Sequence, residues 1–134
     1  METILVPTSP GELIDKLTIL RLKTEHITDP AKLTNVRHEQ TVLTKTAQSK
    51  LPPSQTLTAL WDELYQVNAA LWKIEDDIRD CEAAGDFGQT FIDLARAVYV
   101  TNDQRSDVKK RINLHLGSDL IEEKSYADYT GGAS

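Results

Sequence analysis

A chain of 134 residues, 40% hydrophobic and 27% charged, suits one globular domain of ordinary composition spanning 1–134. A net charge of −6 leaves too little basic surface for broad duplex binding, so no DNA partner is expected. The single cysteine, Cys81, rules out an internal disulfide and a thiolate metal cage.

The start, METILVPTSP, lacks the basic and apolar regions of a signal peptide. No apolar run approaches the ~18 residues of a membrane span. A cytoplasmic protein is expected.

Ser9-Pro10-Gly11-Glu12 opens the first helix, with serine at the N-cap, proline at the first helical position and glutamate placed to close a capping box. Leu13, Ile14, Leu17, Leu20 and Ile27 follow at helical spacing, which predicts a helix over 10–27. Asp29-Pro30 repeats the cap-then-proline device and opens a second helix with the seam Leu33, Val36, Gln40, Leu43, Ala47. The short gap makes the two an antiparallel hairpin, with Gln40 opposite Leu17 and Leu43 opposite Ile14.

After Pro52-Pro53, Ser54 is the next N-cap. The third helix carries the strongest periodicity, Leu60, Leu64, Val67, Leu71, Ile74, Ile78, Cys81. A second face reads Trp61, Tyr65, Asn68, Trp72, Glu75, Arg79, so this helix is expected to have neighbours on two sides. Gly85-Asp86-Phe87-Gly88 turns the chain, and the fourth helix runs over 89–116 to Gly117. Beyond it, Leu120, Ile121, Tyr126 and Tyr129 are expected to dock a tail on the bundle, with a disordered end over 130–134.

The inward face of the fourth helix is expected to be Phe91, Ala95, Val98, Asn102, Arg105, Lys109, Ile112, Leu116. Three consecutive members are polar or cationic, and a cation removed from water needs a partner, a ligand or a wet cavity. The 85–88 turn sets an antiparallel register that puts Arg105 opposite Asn68, Asn102 opposite Leu71 and Trp72 opposite Thr101. Glu75 lies about two turns from Arg105, and Glu39 and Gln40 are placed to approach from across the core.

Two readings follow. One is a buried salt-bridge and amide network that fixes register. The other is an anion pocket between helices three and four, for a sugar phosphate or nucleotide. In it Arg105 clamps, Lys109 supplies a point charge, Asn68 and Asn102 orient, and Trp72 or Tyr65 forms a wall. The network is favoured, because cations that seem to face inward often reach water along their stems.

The run Glu75-Asp76-Asp77-Arg79-Asp80-Glu82 spreads around its helix and reads as a solvated face, not a metal site. Only Glu12-x-x-Asp15 approaches the paired-carboxylate step of helical magnesium pyrophosphohydrolases, and Glu12 is assigned to the cap. His26, His38 and His115 lack ligand spacing, and no P-loop, nucleophile or dinucleotide motif is present. No cofactor and no metal are expected.

The blocks Ser9-Pro10-Gly11-Glu12-Leu13-Ile14-Asp15-Lys16-Leu17-Thr18-Ile19-Leu20, Leu71-Trp72-Lys73-Ile74-Glu75-Asp76 and Phe91-Ile92-Asp93-Leu94-Ala95-Arg96 carry a resemblance. Asn102-Asp103, Lys110-Arg111-Ile112-Asn113 and Glu122-Glu123-Lys124-Ser125-Tyr126 extend it. Together they resemble an uncharacterised bacterial and phage family of small helical proteins, a domain of unknown function. The resemblance implies no activity, but it implies that the polar segments belong to the pattern as much as the apolar seams do.

The expected fold is an all-α bundle of two antiparallel αα-hairpins, the second with long helices, plus a short docked C-terminal tail. Because the second hairpin is longer, part of its seam needs cover, which predicts a homodimer through the long hairpin. The expected function is a non-catalytic interaction or assembly module. A protein or enzyme binding an anionic metabolite is the alternative.

Overall fold

The computed structural model describes residues 1–130; beyond Thr130, the end expected to be disordered lies outside them. Four helices follow in order: α1 Pro10–His26, α2 Pro30–Lys50, α3 Gln55–Ala84 and α4 Gln89–His115. Among the described residues there is no strand. The all-α architecture and the helix order match the expectation.

The predicted caps explain most boundaries. Ser9 Oγ accepts from the Glu12 amide at 3.2 Å, and Ser54 Oγ from the Leu57 amide at 3.0 Å. Gly85 ends α3 at φ 66°, in the left-handed region that glycine enters without strain. Asp29, however, makes no side-chain cap bond; proline and the extended residue before it suffice to start α2.

The two expected hairpins, α1–α2 and α3–α4, are both present, and they pack on each other through α1 alone. α1 lies in the groove between the lower halves of α3 and α4, while α2 packs on the outer face of α1 and has no close approach to either long helix. The reason lies in α1, which carries two inward faces. Leu13, Leu17 and Leu20 meet Ala47, Val36 and Leu43 of α2. Ile14 points the other way, into the main core of Leu57, Leu60, Leu64, Val108 and Ile112. Leu43 therefore does not face Ile14, and Glu39, expected to reach across the core, is exposed.

Ile14, Leu64 and Ile112 are 0% exposed. Each contributes about 1.5–3 kcal/mol on burial, which fixes where the three-helix base is most rigid. Gly11 lets α1 enter this close, because a Cβ there would lie 2.6 Å from the Lys109 carbonyl oxygen and 2.9 Å from Asn113 Oδ1. The antiparallel register of the long hairpin is as expected: Arg111 reaches Glu63 across it, at 2.5 and 3.0 Å.

α1 stops where His26 stacks on Trp72, with ring centroids 4.9 Å apart. Above that level α3 and α4 continue as a two-helix arm over residues 73–100. From the rise per residue, the 17 residues of α1 span ~25 Å and the 30 of α3 ~45 Å. The arm therefore projects ~20 Å beyond its cover.

Candidate functional site: an ionic network on the inner edge of α4

The buried face of α4 is Thr101, Val108, Ile112 and Asn113. This shifts the expected seam by one residue at two positions: Thr101 takes the inward place of Asn102, and Val108 that of Lys109. Asn102 is exposed, and Lys109 sits on the flank with 12% of its side chain exposed. The shift follows from Thr101, Val108 and Ile112, which step by seven and four and keep small or apolar groups on the buried face, with Arg105 at the place between the first two.

Arg105 keeps its inward place, and its partner comes from α1. Its Nε donates to Asp15 Oδ1 at 2.9 Å and its Nη2 to Asp15 Oδ2 at 2.5 Å. Asp15 is 2% exposed and also accepts from Asn68 Nδ2 at 2.9 Å. The same amide nitrogen donates to Thr18 Oγ1 at 2.8 Å, and the Thr18 hydroxyl donates to the Asp15 carbonyl at 2.7 Å. No buried side-chain nitrogen or oxygen among the described residues lacks a partner. A buried charge is tolerable only under that condition. The hydrogen bonds from Arg105 to Asp15 outweigh the opposing effect of burial and hold the guanidinium pKa up.

One turn along α4, Lys109 Nζ lies 2.8 Å from Glu12 Oε2 and 3.2 Å from Glu122 Oε2. Glu12 thus serves an ion pair instead of closing the expected capping box. Burial pulls the Lys109 pKa down, but the hydrogen bond to Glu12 and the charge of Asp15 prevail and raise it. A further turn along, the Gly11 amide donates to Asn113 Oδ1 at 2.7 Å. Asp15, Glu12 and Gly11 therefore meet Arg105, Lys109 and Asn113 in antiparallel order, like the teeth of two racks.

Of the seven predicted site residues, Asn68, Trp72, Glu75, Asn102 and Arg105 line one cavity of about 380 Å³ at the end of α1. Its floor is Leu22 and Leu71. Arg105, Asn102 and Lys109 line a second cavity of about 420 Å³ on the other side, beneath the C-terminal tail. Tyr65 lines neither: its hydroxyl donates to Glu25 at 2.6 Å, which raises the phenol pKa, and the Arg21 guanidinium lies 3.7 Å above its ring. Glu75 also pairs with Arg79 at 3.5 Å, the ordinary one-turn pair.

Over residues 4–134 the chain matches a family model described as Family of unknown function (DUF6165). The chain belongs to that family. No curated protein and no solved structure matches it. Four of the six blocks that carry the resemblance come together in space: the SPGEL start, the stretch around Asn102, the KRIN block and the EEKSY tail meet on this edge of α4.

Sequence reasoning missed Asp15, Thr18, Asn113 and Glu122. The signal for the first two was available: Gly11, Asp15, Thr18 and Leu22 step by four, three and four, a second seam on α1 of the kind recognised on α3 and α4. Glu122 carried no such signal, since it lies in an irregular segment.

The tail also differs from expectation. From Gly117, at φ 64°, it turns back along α4 and docks by charge, not by burial. Glu123 pairs with Lys110 at 3.3 Å and Lys124 pairs with Asp103. Leu120, Ile121 and Tyr126 stay exposed, while Tyr129 rests 5.1 Å from the Tyr99 ring. Cys81 is buried at the end of the α3 seam, and that burial with the nearby Asp86, Asp80 and Asp77 keeps its thiol pKa raised. Among the described residues no group of three His, Cys, Asp or Glu side chains is placed to hold a metal, and no helix is long and apolar enough to cross a membrane.

Proposed function

We propose that this protein is a non-catalytic assembly module that pairs with a second copy of itself through the arm of the long hairpin. One observation carries the reading: the groove that α1 fills below Trp72 continues along the arm with nothing in it. Ile74, Ile78, Phe91, Ala95 and Val98 are only half-buried there, and Ile92 is exposed. An apolar stripe of this kind marks an interaction surface.

A second arm laid antiparallel in the groove would repeat the helix packing of the base and make a four-helix bundle. The acidic side of the arm, Glu75, Asp76 and Asp80, lies on α3, and α4 brings Arg96 to the opposite rim. In an antiparallel pair, α3 of each copy meets α4 of the other, and like charges stay apart. The polar network supports the same reading from the other side, because the bidentate Arg105–Asp15 pair and the bond from Asn68 to Asp15 hold α1, α3 and α4 in one register and so present the arm at a fixed angle. With ~20 Å of uncovered length, the interface falls at the small end of stable pairings, so association is expected at micromolar concentration.

Multi-angle light scattering across 1–200 µM tests this, with Ala95→Glu as the control. Ala95 steps with Phe91, Val98 and Asn102 along the open groove, and glutamate is a good helix former. The expected outcome is a concentration-dependent dimer that Ala95→Glu reduces to monomer without loss of helical circular dichroism. A clean monomer at 200 µM wild-type protein would sink the reading.

A further inference from the structure

We infer that the cavity between α4 and the returning tail is a binding site for a small carboxylate, and that Glu122 occupies the ligand's place as an internal competitor. The cavity, about 420 Å³, is lined by Asn102, Arg105, Ser106 and Lys109 of α4 and by Glu122 and Lys124 of the tail. That is ample room for a small organic acid.

The donors come from two cations held rigidly from behind. Asp15 takes the Nε and one Nη2 hydrogen of Arg105, and these are the guanidinium's only hydrogen bonds among the described residues. Three of its five N–H groups therefore remain available on the outer edge, where 29% of the side chain is exposed. Lys109 is pinned by Glu12 and offers its remaining donors to the same space. A cation whose own geometry is fixed by a buried partner is a preorganised donor.

α1 supplies one carboxylate for each of these cations, so formal charge is already balanced without the tail. Unused donors, not excess charge, attract an oxygen ligand here. This favours a singly charged carboxylate over a polyphosphate, and it narrows the metabolite reading of the sequence to another class and another place, α4 with the tail and not α3 with α4.

Glu122 shows what the site accepts. Its carboxylate reaches Lys109 at 3.2 Å, and its charge also bears on Arg105. It is held loosely, with 64% of its side chain exposed. On either side of it the tail is anchored by the exposed Glu123–Lys110 pair and the half-exposed Lys124–Asp103 pair, which contribute little stability. A free carboxylate could displace it without disturbing the core. Tyr99 and Tyr126 flank the opening and suit a flat, apolar ligand body.

The experiment is a titration of the full chain with benzoate, with inorganic phosphate in parallel, followed by amide chemical shifts. It uses wild type, Glu122→Ala, Lys109→Met and Lys109→Arg. The expected result is saturable benzoate shifts confined to the tail and to α4 around Asn102–Lys109. Affinity should rise about threefold or more in Glu122→Ala, be lost in Lys109→Met and be largely kept in Lys109→Arg. Phosphate should bind more weakly.

Benzoate binding should also speed tryptic cleavage after Lys124, because the displaced tail is freed. Unchanged or weaker binding in Glu122→Ala would overturn the proposal. So would stronger binding of phosphate, or no saturation in either wild type or Glu122→Ala. Should Lys109→Met fail to fold, Glu122→Ala, a substitution at an exposed position, still decides the matter. None of these outcomes depends on whether the arm pairs.

Discussion

The lower and upper halves of the long hairpin use the same two helices and reach opposite solutions. Below Trp72 a third helix fills the groove, and the hairpin there contains Asn68, Thr101, Arg105 and Asn113 at inward or near-inward positions. Above it no helix fills the groove; the seam between α3 and α4 is apolar, and Glu75, Asp76 and Arg79 line the groove where α1 ends. The polar half is the closed one. Burying Arg105 is possible only because α1 brings Asp15 to it, and Asp15 is in turn held by Asn68 and Thr18. The arm has no such partner in its own chain. Its apolar side chains stay half-open.

The sharpest way to break this comparison is to remove the carboxylate at the centre of the lower half. Asp15→Ala leaves a guanidinium and an amide without their acceptor in the core and is expected to cost about 3–5 kcal/mol, measured by urea unfolding. A cost under about 1 kcal/mol would mean that Arg105 swings to water and that the network does not set register.

A smaller contrast comes from matched truncations. Leu64→Ala in the base should cost about 2–5 kcal/mol, as full burial and a residual cavity require. Ile78→Ala in the arm should cost under about 2 kcal/mol in dilute monomer, because water already reaches that groove. Equal losses would show that the arm is as tightly packed as the base.

The smallest effect expected is at high pH. Lys109 has a raised pKa in the folded protein, so its stabilisation is complete below its ordinary unfolded value of about 10.4 and is lost as pH rises through the higher folded value. The stability difference between wild type and Lys109→Met should therefore be flat from pH 6 to 9 and shrink above roughly pH 10.5. A difference that already falls between pH 6 and 9 would contradict the Glu12–Lys109 pairing.

Much of the fold was legible because helix signals are local. Ser9-Pro10, Ser54 and Gly85 mark ends through backbone chemistry that needs no tertiary partner, and the 85–88 turn fixes the α3–α4 register by length alone. Arg105 and Asn68 were recognisable for the same reason, as polar side chains interrupting an apolar period. The resemblance added that the polar segments belong to the family pattern, and the chain matches the model of a family of unknown function over residues 4–134.

Tertiary structure decided what locality cannot. Whether Thr101 or Asn102 faces inward is a rotation of one residue step, settled by which neighbour packs against α4. That α2 lies outside, on α1 alone, depended on α1 having two buried faces, and Gly11 permits the closeness by offering no Cβ to the Lys109 carbonyl. Asp15 and Glu12 are separated from their partners by about 90 residues or more, and no spacing rule spans that distance. The periodicity of this sequence determined that cations would sit at the inner edge of α4; only the packing of α1 and the return of the tail determined which carboxylates would meet them there.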